Sequence, residues 1–294
     1  MAPLANYLMS RRWAKNLAQM ALGIDARREF PSFAAETFQD WFLARGRQGD
    51  GATGRRGQVV LLDDCFLSYN YPQVGRAAVE LLEKAGFQVV LGKRECCGRP
   101  MISKGLLENA RRVARRNVEA LAPLVAEGAA VVGCEPSCLL TLRDEYLDLL
   151  SGPEVEQVAK QSFLLEEFLC RLRDAGELDL RFRADQKKIL VHGHCHQKAQ
   201  IGTSSTLRAL RMAPGYEVTE VNSGCCGMAG SFGFEKEHYE ISEAIAGLRL
   251  TPAVQAASPD TEIVITGVSC RQQIGHFTGR QPRHAVEVLR EAVL

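Results

Sequence analysis

The feature that most constrains the fold is a pattern of cysteines that occurs twice along the chain. Two adjacent cysteines followed by glycine occur at 96–98 and again at 225–227. A single cysteine precedes each pair, Cys65 by 31 positions and Cys195 by 30, and a further cysteine follows each pair. Core cysteines that served only as small apolar residues would not recur in this order. The repeat therefore predicts two structurally similar halves.

Each cysteine of the repeat comes at or just after the end of a short apolar run, and segments with helical spacing separate the runs. The runs are 58–65, 87–98 and 129–138 in the first half, and 187–195, 216–227 and 261–270 in the second. Strands that alternate with helices indicate parallel sheets with crossover helices. We predict an α/β fold of two pseudo-symmetric Rossmann-like βαβ lobes, 58–180 and 181–294. A helix over 154–172 is expected to connect them.

The first 57 residues are predicted to form an N-terminal helical arm and linker. Residues 4–22 have the spacing of one amphipathic helix. Downstream, an aromatic group offers enough apolar surface to dock on another part of the protein: Phe30, Phe33, Phe38, Trp41 and Phe42. Residues 45–58 are rich in glycine and arginine, lack apolar periodicity and are expected to form a linker or exposed loop.

Composition narrows the class of protein. The 36 basic and 35 acidic residues nearly balance, so general binding to nucleic acid is not expected. No apolar stretch is long enough to span a membrane, and the first residues lack the order of a signal peptide. A cytoplasmic protein is therefore expected. In a reducing compartment, clustered cysteines bind metal or do redox chemistry more often than they form disulfides. Cys170, which lies outside the repeat, fits a buried structural thiol equally well.

In open parallel sheets, ligands bind beyond the carboxyl ends of the strands. The cysteines that follow the runs are therefore candidate metal ligands: Cys65, Cys96, Cys97, Cys134, Cys138, Cys195, Cys225, Cys226 and Cys270. Zinc takes four ligands, usually from two knuckles, and only Cys134 and Cys138 have knuckle-like spacing. An iron–sulfur cluster is larger than one ion, so adjacent cysteines can reach different atoms of it. The residues favour iron–sulfur over zinc and leave both open.

Five segments carry a family resemblance: ECCGRP, GCEPSC, HGHCHQKA, SGCCGMAGSFGFE and GVSCRQQI. They resemble the duplicated cysteine-rich CCG domain of the heterodisulfide reductase B subunit and the glycolate oxidase iron–sulfur subunit. The segments are most similar to the C-terminal iron–sulfur region of FAD-linked 2-hydroxy-acid oxidoreductases. The resemblance covers about residues 58–294. The chain has no nucleotide-binding motif, and neither a flavin domain nor NAD binding is expected in it.

The resemblance implies that each half supplies five cysteines to a non-cubane 4Fe–4S cluster. The first half matches all five, although the closing CxxC of the family is CxxxC here, at Cys134 and Cys138. The second half matches only four, because the position equivalent to Cys134 falls near Thr266 or Gly267. We expect a five-cysteine cluster in the first half. In the second half, a four-cysteine cluster and an incomplete one with an open site are both alternatives.

The resemblance implies an electron-transfer subunit or domain of a flavin-linked oxidoreductase of 2-hydroxy acids such as glycolate or lactate. Its partners would be a flavin-containing subunit and a ferredoxin-type carrier, with peripheral membrane association through a quinone-linked complex. Two alternatives stay open. One is a thiol or disulfide reductase that uses a non-cubane cluster. The other is a zinc-stabilised binding subunit without a redox role.

Histidines and arginines near the motifs have weaker interpretations. His194 and His196 flank Cys195, and histidine can ligate iron or donate to cluster sulfur. We interpret them instead as residues that support the ligands or as satisfied buried histidines. His192 is expected to point in the opposite direction if the strand continues through it. Arg111, Arg112, Arg115 and Arg116 share one predicted helix. We interpret them as a solvated helix face, the alternative being a docking site for an acidic redox partner.

Overall fold

The computed structural model describes residues 2–46, 56–92 and 95–294. It contains two four-stranded parallel sheets, with strand orders β2-β1-β3-β4 and β6-β5-β7-β8. The strands are β1 (Gln58–Leu62), β2 (Gln88–Leu91), β3 (Ala130–Gly133), β4 (Ser162–Leu164), β5 (Lys187–His192), β6 (Tyr216–Glu220), β7 (Glu262–Ile265) and β8 (Arg283–His284). We call the parts built on the two sheets lobe 1 and lobe 2. The predicted α/β class, with two similar lobes of parallel strands, is confirmed.

Helices cover the sheets and form the first part of the arm. The helices of the described residues are α1 (Ala2–Ser10), α2 (Arg12–Leu22), α3 (Phe38–Ala44), α4 (Cys65–Tyr69), α5 (Pro72–Lys84), α6 (Arg99–Ser103), α7 (Leu107–Ala126), α8 (Pro136–Arg143), α9 (Glu145–Leu149), α10 (Pro153–Lys160), α11 (Leu165–Asp174), α12 (Cys195–Gln200), α13 (Ser204–Leu210), α14 (Tyr239–Ala256), α15 (Val268–Thr278) and α16 (Ala285–Ala292). None of these helices is long and apolar enough to cross a membrane.

The central strands form because their side chains are buried on both faces of a covered sheet. In β1, only Gln58 is exposed and the four residues after it are buried. Such a continuous apolar run is typical of parallel strands, which have helices on both sides. The following helix α5 begins with Pro72, which suits a first helical position, and Gly86 beyond its end adopts a positive φ of 93°.

Two predictions about elements are wrong. The expected connecting helix over 154–172 is interrupted by β4, which pairs with β3 from Ser162 to Leu164. All three residues of β4 are buried, so pairing with the sheet outweighs helical spacing there. The expected helix over 4–22 is broken at Arg11, whose backbone is extended at φ −81° and ψ 132°. The expected linker over 45–58 lies mostly in 47–55, outside the described residues.

One hydrophobic core joins the lobes. Helices α5 and α11 of lobe 1 pack against α16 and α13 of lobe 2. The core takes fully buried residues from both, including Leu61 and Leu81 of lobe 1 and Val191, Leu210 and Leu289 of lobe 2. The lobe boundaries at 57/58 and 180/181 stay a prediction, since one core crosses between the halves.

Polar side chains also link the lobes where β3 and β7 end. His284 Nε2 lies 3.2 Å from the Cys134 carbonyl oxygen and 3.1 Å from that of Thr266. Its Nδ1 accepts the backbone N–H of Val286, so Nε2 carries the proton and donates to both carbonyls. Glu135 of lobe 1 accepts the backbone N–H of Val268 at 2.8 Å, at the start of α15 in lobe 2.

The segment after α2 binds to both lobes. Ile24 forms a bridge with Glu235, and the Phe30 ring stacks on Phe234 with ring centroids 5.3 Å apart. Farther along, Phe38 is fully buried in the shared core. Apart from Phe33, which is exposed, the aromatic residues of the arm therefore dock on the chain's own lobes. In contrast, most of the large apolar side chains of α1 and α2 are exposed.

Candidate metal centres

The strand order puts the cysteine segments of each lobe at the point where the connections change direction. In lobe 1, β1 lies between β2 and β3, and in lobe 2, β5 lies between β6 and β7. A parallel sheet with this order has its binding crevice at the carboxyl ends of the two strands that flank the change. Cys65 and Cys195 each occupy the first position of the helix that follows, α4 or α12.

The cysteines after the third strands occupy matching positions in the two lobes. Cys138 is the third residue of α8 and Cys270 is the third residue of α15. The register of β1 with β3 and of β5 with β7 makes Cys134 equivalent to Thr266. The sequence comparison left this position between Thr266 and Gly267, and the strand pairing assigns it to Thr266.

The four cysteines of lobe 2 form one hydrogen-bonded group. Hydrogen bonds from Cys195 and Cys226, together with the backbone N–H of Gly227 at 3.3 Å, lower the pKa of Cys225 far below its usual value. A hydrogen bond with Cys226 likewise lowers the pKa of Cys270, and the nearby imidazoles of His192 and His194 act in the same direction. The four predicted ligands of lobe 2 therefore lie next to one another in series, Cys195 beside Cys225, Cys225 beside Cys226 and Cys226 beside Cys270.

His192 joins this group, which the sequence interpretation missed. The side-chain ligand atoms of His192, Cys226 and Cys270 all lie within 4.8 Å of one another, and all three residues are buried. His192 is the last residue of β5. The expectation that it points away from the site is wrong, because the side chain at this strand end faces the Cys226 side of the sheet. Its lobe 1 equivalent is the apolar Leu62, a contrast that could have drawn attention to it.

In lobe 1, three of the predicted ligands converge. Cys96, Cys97 and Cys138 contact the same apolar cluster, which differs from the core between the lobes. Hydrogen bonds with Cys138 and Cys96 raise the pKa of Cys97 well above its usual value. Cys65 follows β1, the strand between β2 and β3, so it stands at the same edge of the sheet and is exposed.

Cys134 lies apart from these three cysteines. It belongs to the core shared by the lobes and lines a small cavity there with Asp64, Glu135, Arg271 and His284. Burial raises the pKa of the Cys134 thiol well above its usual value, and neighbouring carboxylates add to the rise. The structure thus does not bring Cys134 to the three cysteines that converge.

A buried polar pair holds the backbone of the Cys96–Cys97 segment. The Asn117 side-chain amide donates to the Cys96 carbonyl at 3.1 Å and to the Tyr146 hydroxyl at 2.8 Å. Tyr146 in turn donates to the Cys97 carbonyl at 3.0 Å. Both side chains are nearly inaccessible to solvent, at 1% and 0% exposure. This pair, which sequence reasoning did not find, fixes the direction in which the two thiols leave the backbone.

Glycine follows each pair because the backbone there turns into the left-handed region. Gly98 has φ +85° and Gly227 has φ +92°, which residues with a side chain rarely adopt. At Gly227, a Cβ atom would also lie 2.4 Å from the Ser242 carbonyl oxygen. The turn directs the N–H of Gly227 at the Cys225 sulfur, a donor that stabilises negative charge on that sulfur.

The other histidines near the motifs have partners elsewhere. His194 caps α12 by accepting the His196 N–H through Nδ1, and its Nε2 lies 4.0 Å from Glu135. His196 Nε2 lies near Gln200 and Glu145, at 2.8 and 3.5 Å. Both fit the supporting role expected of them.

Cys170 is buried in the shared core on α11, where its thiol donates to the Ser205 carbonyl. Burial raises the pKa of Cys170 to about 11. The structural interpretation of this cysteine therefore fits better than a ligand role.

The arginine face of α7 is largely engaged in local interactions. Arg111 pairs with Glu108 and also donates to the Leu149 carbonyl. Arg112 donates to Asn109, and Arg116 pairs with Glu95. These contacts favour a solvated helix face over a docking site.

The donor sets of both lobes fit a thiolate-bound metal centre. Lobe 2 groups four sulfurs and one buried imidazole, and lobe 1 groups at least three sulfurs, with a fourth at the same edge. Soft thiolate ligands select zinc or iron–sulfur clusters. Adjacent ligands such as Cys225 and Cys226 suit a centre with several metal atoms, because two neighbouring thiols can bind different atoms of one cluster.

Comparison with known proteins gives one family and several relatives. The model of the CCG cysteine-rich domain matches residues 59–143 and 189–275. The chain is 33% identical to the C subunit of anaerobic glycerol-3-phosphate dehydrogenase from Escherichia coli K12, over 99% of this chain and 72% of that protein. It is 25% identical to D-2-hydroxyglutarate dehydrogenase of Pantoea ananatis, over 98% of this chain and 28% of that protein. Lactate utilization protein A of an Exiguobacterium strain is 28% identical, over 80% of this chain and 98% of its own length.

Proposed function

Since the chain belongs to the family of proteins that carry the duplicated CCG cysteine-rich domain, we propose that it is an iron–sulfur electron-transfer subunit or domain of a flavin-linked dehydrogenase. The observation that carries this proposal is the convergence of four thiols in lobe 2. The adjacent pair suits a multi-iron cluster better than a single zinc ion. An iron–sulfur cluster would supply reversible transfer of single electrons at this site.

The chain's own residues would hold such a group at the carboxyl edge of each sheet. Cys195, Cys225, Cys226 and Cys270 are the ligands we assign in lobe 2, and Cys65, Cys96, Cys97 and Cys138 those in lobe 1. The backbone N–H of Gly227 donates to the Cys225 sulfur, and such donors to cluster sulfurs raise the reduction potential. Cys134 is kept as a candidate fifth ligand of lobe 1, which requires its side chain to turn away from the shared core.

Burial of the ligands differs across each site in a way that suits electron exchange. Cys226 and Cys270 are buried, whereas Cys195 and Cys225 are partly accessible. Lobe 1 has the same arrangement, with Cys97 buried and Cys65 exposed. A centre bound there would have one side protected from water and the other close to the surface, where a redox partner can approach.

The relatives indicate the kind of reaction that the partner would catalyse. Two carry names of dehydrogenases, acting on glycerol-3-phosphate and D-2-hydroxyglutarate, and one is named for lactate utilization. All three compounds are small anions with a secondary alcohol. We propose that a flavin-containing partner oxidises a 2-hydroxy acid or similar anion and passes electrons to this chain. A ferredoxin-type carrier, or a quinone reached by peripheral association with the membrane, would accept them.

Metal analysis of anaerobically purified protein tests the proposal. We expect brown protein that contains iron and acid-labile sulfide and that is reversibly bleached by dithionite. Cys226→Ser should lower the iron content, because Cys226 belongs to the group of lobe 2. Cys170→Ser is the matched control and should leave the iron content unchanged. Colourless protein that holds one zinc ion per chain and no sulfide would contradict the proposal.

A separate variant tests the fifth position of lobe 1. If Cys134 stays in the shared core, Cys134→Ser keeps the iron content and the spectrum of the wild type. Loss of iron in this variant would instead show that Cys134 turns toward the other cysteines when the centre is bound.

A further inference from the structure

Lobe 2 contains a buried nitrogen atom that lacks a partner. The His192 side chain is fully buried. The Cys270 thiol is a neighbour of this imidazole, and no residue that the structure describes forms a hydrogen bond of normal geometry with Nε2. This same side chain is the one whose ligand atom lies within 4.8 Å of the sulfurs of Cys226 and Cys270. A buried polar atom without a partner is rare, because burial removes its hydrogen bonds to water. A nitrogen atom of this kind beside two thiols is a candidate metal ligand.

The opposite ring nitrogen is arranged as in a histidine that binds metal. His192 Nδ1 lies 2.9 Å from the Ser223 hydroxyl. Ser223 immediately precedes the Gly-Cys-Cys-Gly segment, and its carbonyl accepts a hydrogen bond from Lys198 at 2.7 Å, which holds it in place. When Nδ1 donates its proton to Ser223, Nε2 keeps a free lone pair beside the thiols. Ligating histidines are commonly oriented by such a hydrogen bond from the other nitrogen.

The equivalent position in lobe 1 shows that the fold itself does not require a histidine at position 192. The parallel registers pair Leu62 with Gly133 and His192 with Ile265, so Leu62 and His192 are equivalent. Lobe 1 therefore has an apolar side chain where lobe 2 has an imidazole. A core position that needed only packing would not require the nitrogen atoms.

The other candidates for a fifth ligand in lobe 2 are less well placed. Thr266, the equivalent of Cys134, accepts the His194 N–H at 3.1 Å and donates to Gln197 at 2.9 Å. Gly267 has no side chain. His194 uses Nδ1 to cap α12 and has Nε2 directed toward Glu135. His196 Nδ1 is also buried without a hydrogen bond, but His196 is grouped with the carboxylates of Asp144 and Glu145, whereas His192 is grouped with the thiols of Cys226 and Cys270.

We propose that Nε2 of His192 is the fifth protein ligand of the metal centre in lobe 2, in addition to the four cysteines. The inference rests on the proposed function, because it requires an iron–sulfur centre in that lobe. A neutral imidazole adds no negative charge, unlike a fifth thiolate. Histidine in place of cysteine raises the reduction potential of iron–sulfur centres, so the lobe 2 centre would have a higher potential than one held by five thiolates.

Pulsed EPR of protein labelled with ¹⁵N-histidine tests this assignment. The anaerobically purified chain is compared with unlabelled protein in the oxidation state in which the centre is paramagnetic. We expect a strong histidine-nitrogen coupling that changes with the isotope, as for a nitrogen bonded to iron. His192→Ala should lose this coupling completely. His276→Ala is the matched control, since this partly buried histidine bonds to Tyr239 away from the thiols, and it should keep the coupling.

A second variant covers the case in which the alanine variant does not fold. His192→Cys places a thiol at the position of the imidazole. This variant should keep iron and sulfide at the wild-type level and lose the nitrogen coupling. Iron-loaded wild type without a directly bonded nitrogen, or coupling that persists in His192→Cys, would overturn the inference and leave the proposed function intact. Absence of iron and sulfide from the wild type would overturn both.

Discussion

Single residues at the cysteine pairs show how strongly the backbone constrains the sites. Gly227 and Gly224 flank the same two cysteines and differ in what a side chain would meet. Gly227 has φ +92° and a close carbonyl neighbour, whereas a Cβ atom at Gly224 would meet nothing within 4 Å. The two positions therefore provide a natural pair of variants.

We expect Gly227→Ala to lower the free energy of unfolding by at least about 1–3 kcal/mol, the usual cost of a left-handed non-glycine residue. The contact with the Ser242 carbonyl adds to this cost. Urea unfolding of anaerobic protein measures the change, together with the iron content. Gly224→Ala is the control and should behave as the wild type. Equal stability of the two variants would show that the turn after the pair can relax.

Glu166 is a buried acid whose charge has no partner. Neither carboxylate oxygen has a hydrogen-bond partner among the described residues, and burial raises the pKa of Glu166 from 4.5 to about 7. The folded state therefore keeps a proton that the unfolded chain releases above pH 4.5. Stability from this group is present below pH 4.5 and falls as the pH rises to about 7.

Glu166→Gln removes this titration. The free energy of unfolding of the wild type should fall, relative to the variant, by up to about 3 kcal/mol between pH 4.5 and 7. Urea unfolding at several pH values measures the difference. Glu119→Gln is the control, because Glu119 is exposed on α7 and should not alter the pH profile. A constant difference between wild type and Glu166→Gln across this range would contradict the raised pKa.

At the scale of elements, the cysteine segments depend on helices that are distant in sequence. Asn117 of α7 and Tyr146 of α9 hold the carbonyls of Cys96 and Cys97. The two cysteines follow β2 and belong to no helix or strand. Their geometry is therefore set by hydrogen bonds to two neighbouring helices instead of a local ladder.

Tyr146→Phe should weaken lobe 1 in particular. The change removes the hydroxyl that donates to Cys97 and leaves the Asn117 amide with one partner fewer, at a cost of about 1–3 kcal/mol for buried polar groups. We expect a lower free energy of unfolding and faster loss of iron to a chelator. Tyr7→Phe, at an exposed tyrosine of α1, is the control. Wild-type rates of iron loss from Tyr146→Phe would show that the Asn117–Tyr146 pair does not hold the site.

At the scale of the whole molecule, the arm also supports the site of lobe 2. Arg28 is only 2% exposed and donates to Gln273 at 3.0 Å and to the Ser242 hydroxyl at 2.8 Å. Ser242 is the residue whose carbonyl lies beside Gly227. The arm therefore supports the turn that follows the second cysteine pair.

Arg28→Met keeps much of the side-chain volume and removes the two charged hydrogen bonds. Bonds to charged groups contribute about 1.5–3 kcal/mol, so we expect a loss of this order in the free energy of unfolding. Limited proteolysis should also cut the arm faster. Arg12→Met, at an exposed position of α2, serves as the control. Unchanged proteolysis of Arg28→Met would mean that the other contacts of the arm are sufficient to hold it.

Local patterns in the sequence were sufficient for the architecture. The twofold cysteine pattern and the alternation of apolar runs with helical spacing predicted two parallel lobes, because these signals arise within short segments. The cysteines follow the predicted strands, and parallel strands have their carboxyl ends on the same side of the sheet. The sequence therefore predicted that the cysteines of each lobe lie at one edge. The three-residue strand β4 escaped prediction because it forms only by pairing with β3.

What only the tertiary structure decided is which side chains face one another at those edges. Cys134 and Cys138 are four positions apart, yet one faces the core between the lobes and the other faces Cys97. His192 reaches the thiols of lobe 2 while His194 and His196 find other partners. The sequence determined which residues come to each strand end. The direction of each side chain depended on the backbone conformation at the strand end, on the packing of neighbouring helices and on the core that joins the lobes. These involve residues far apart in the chain.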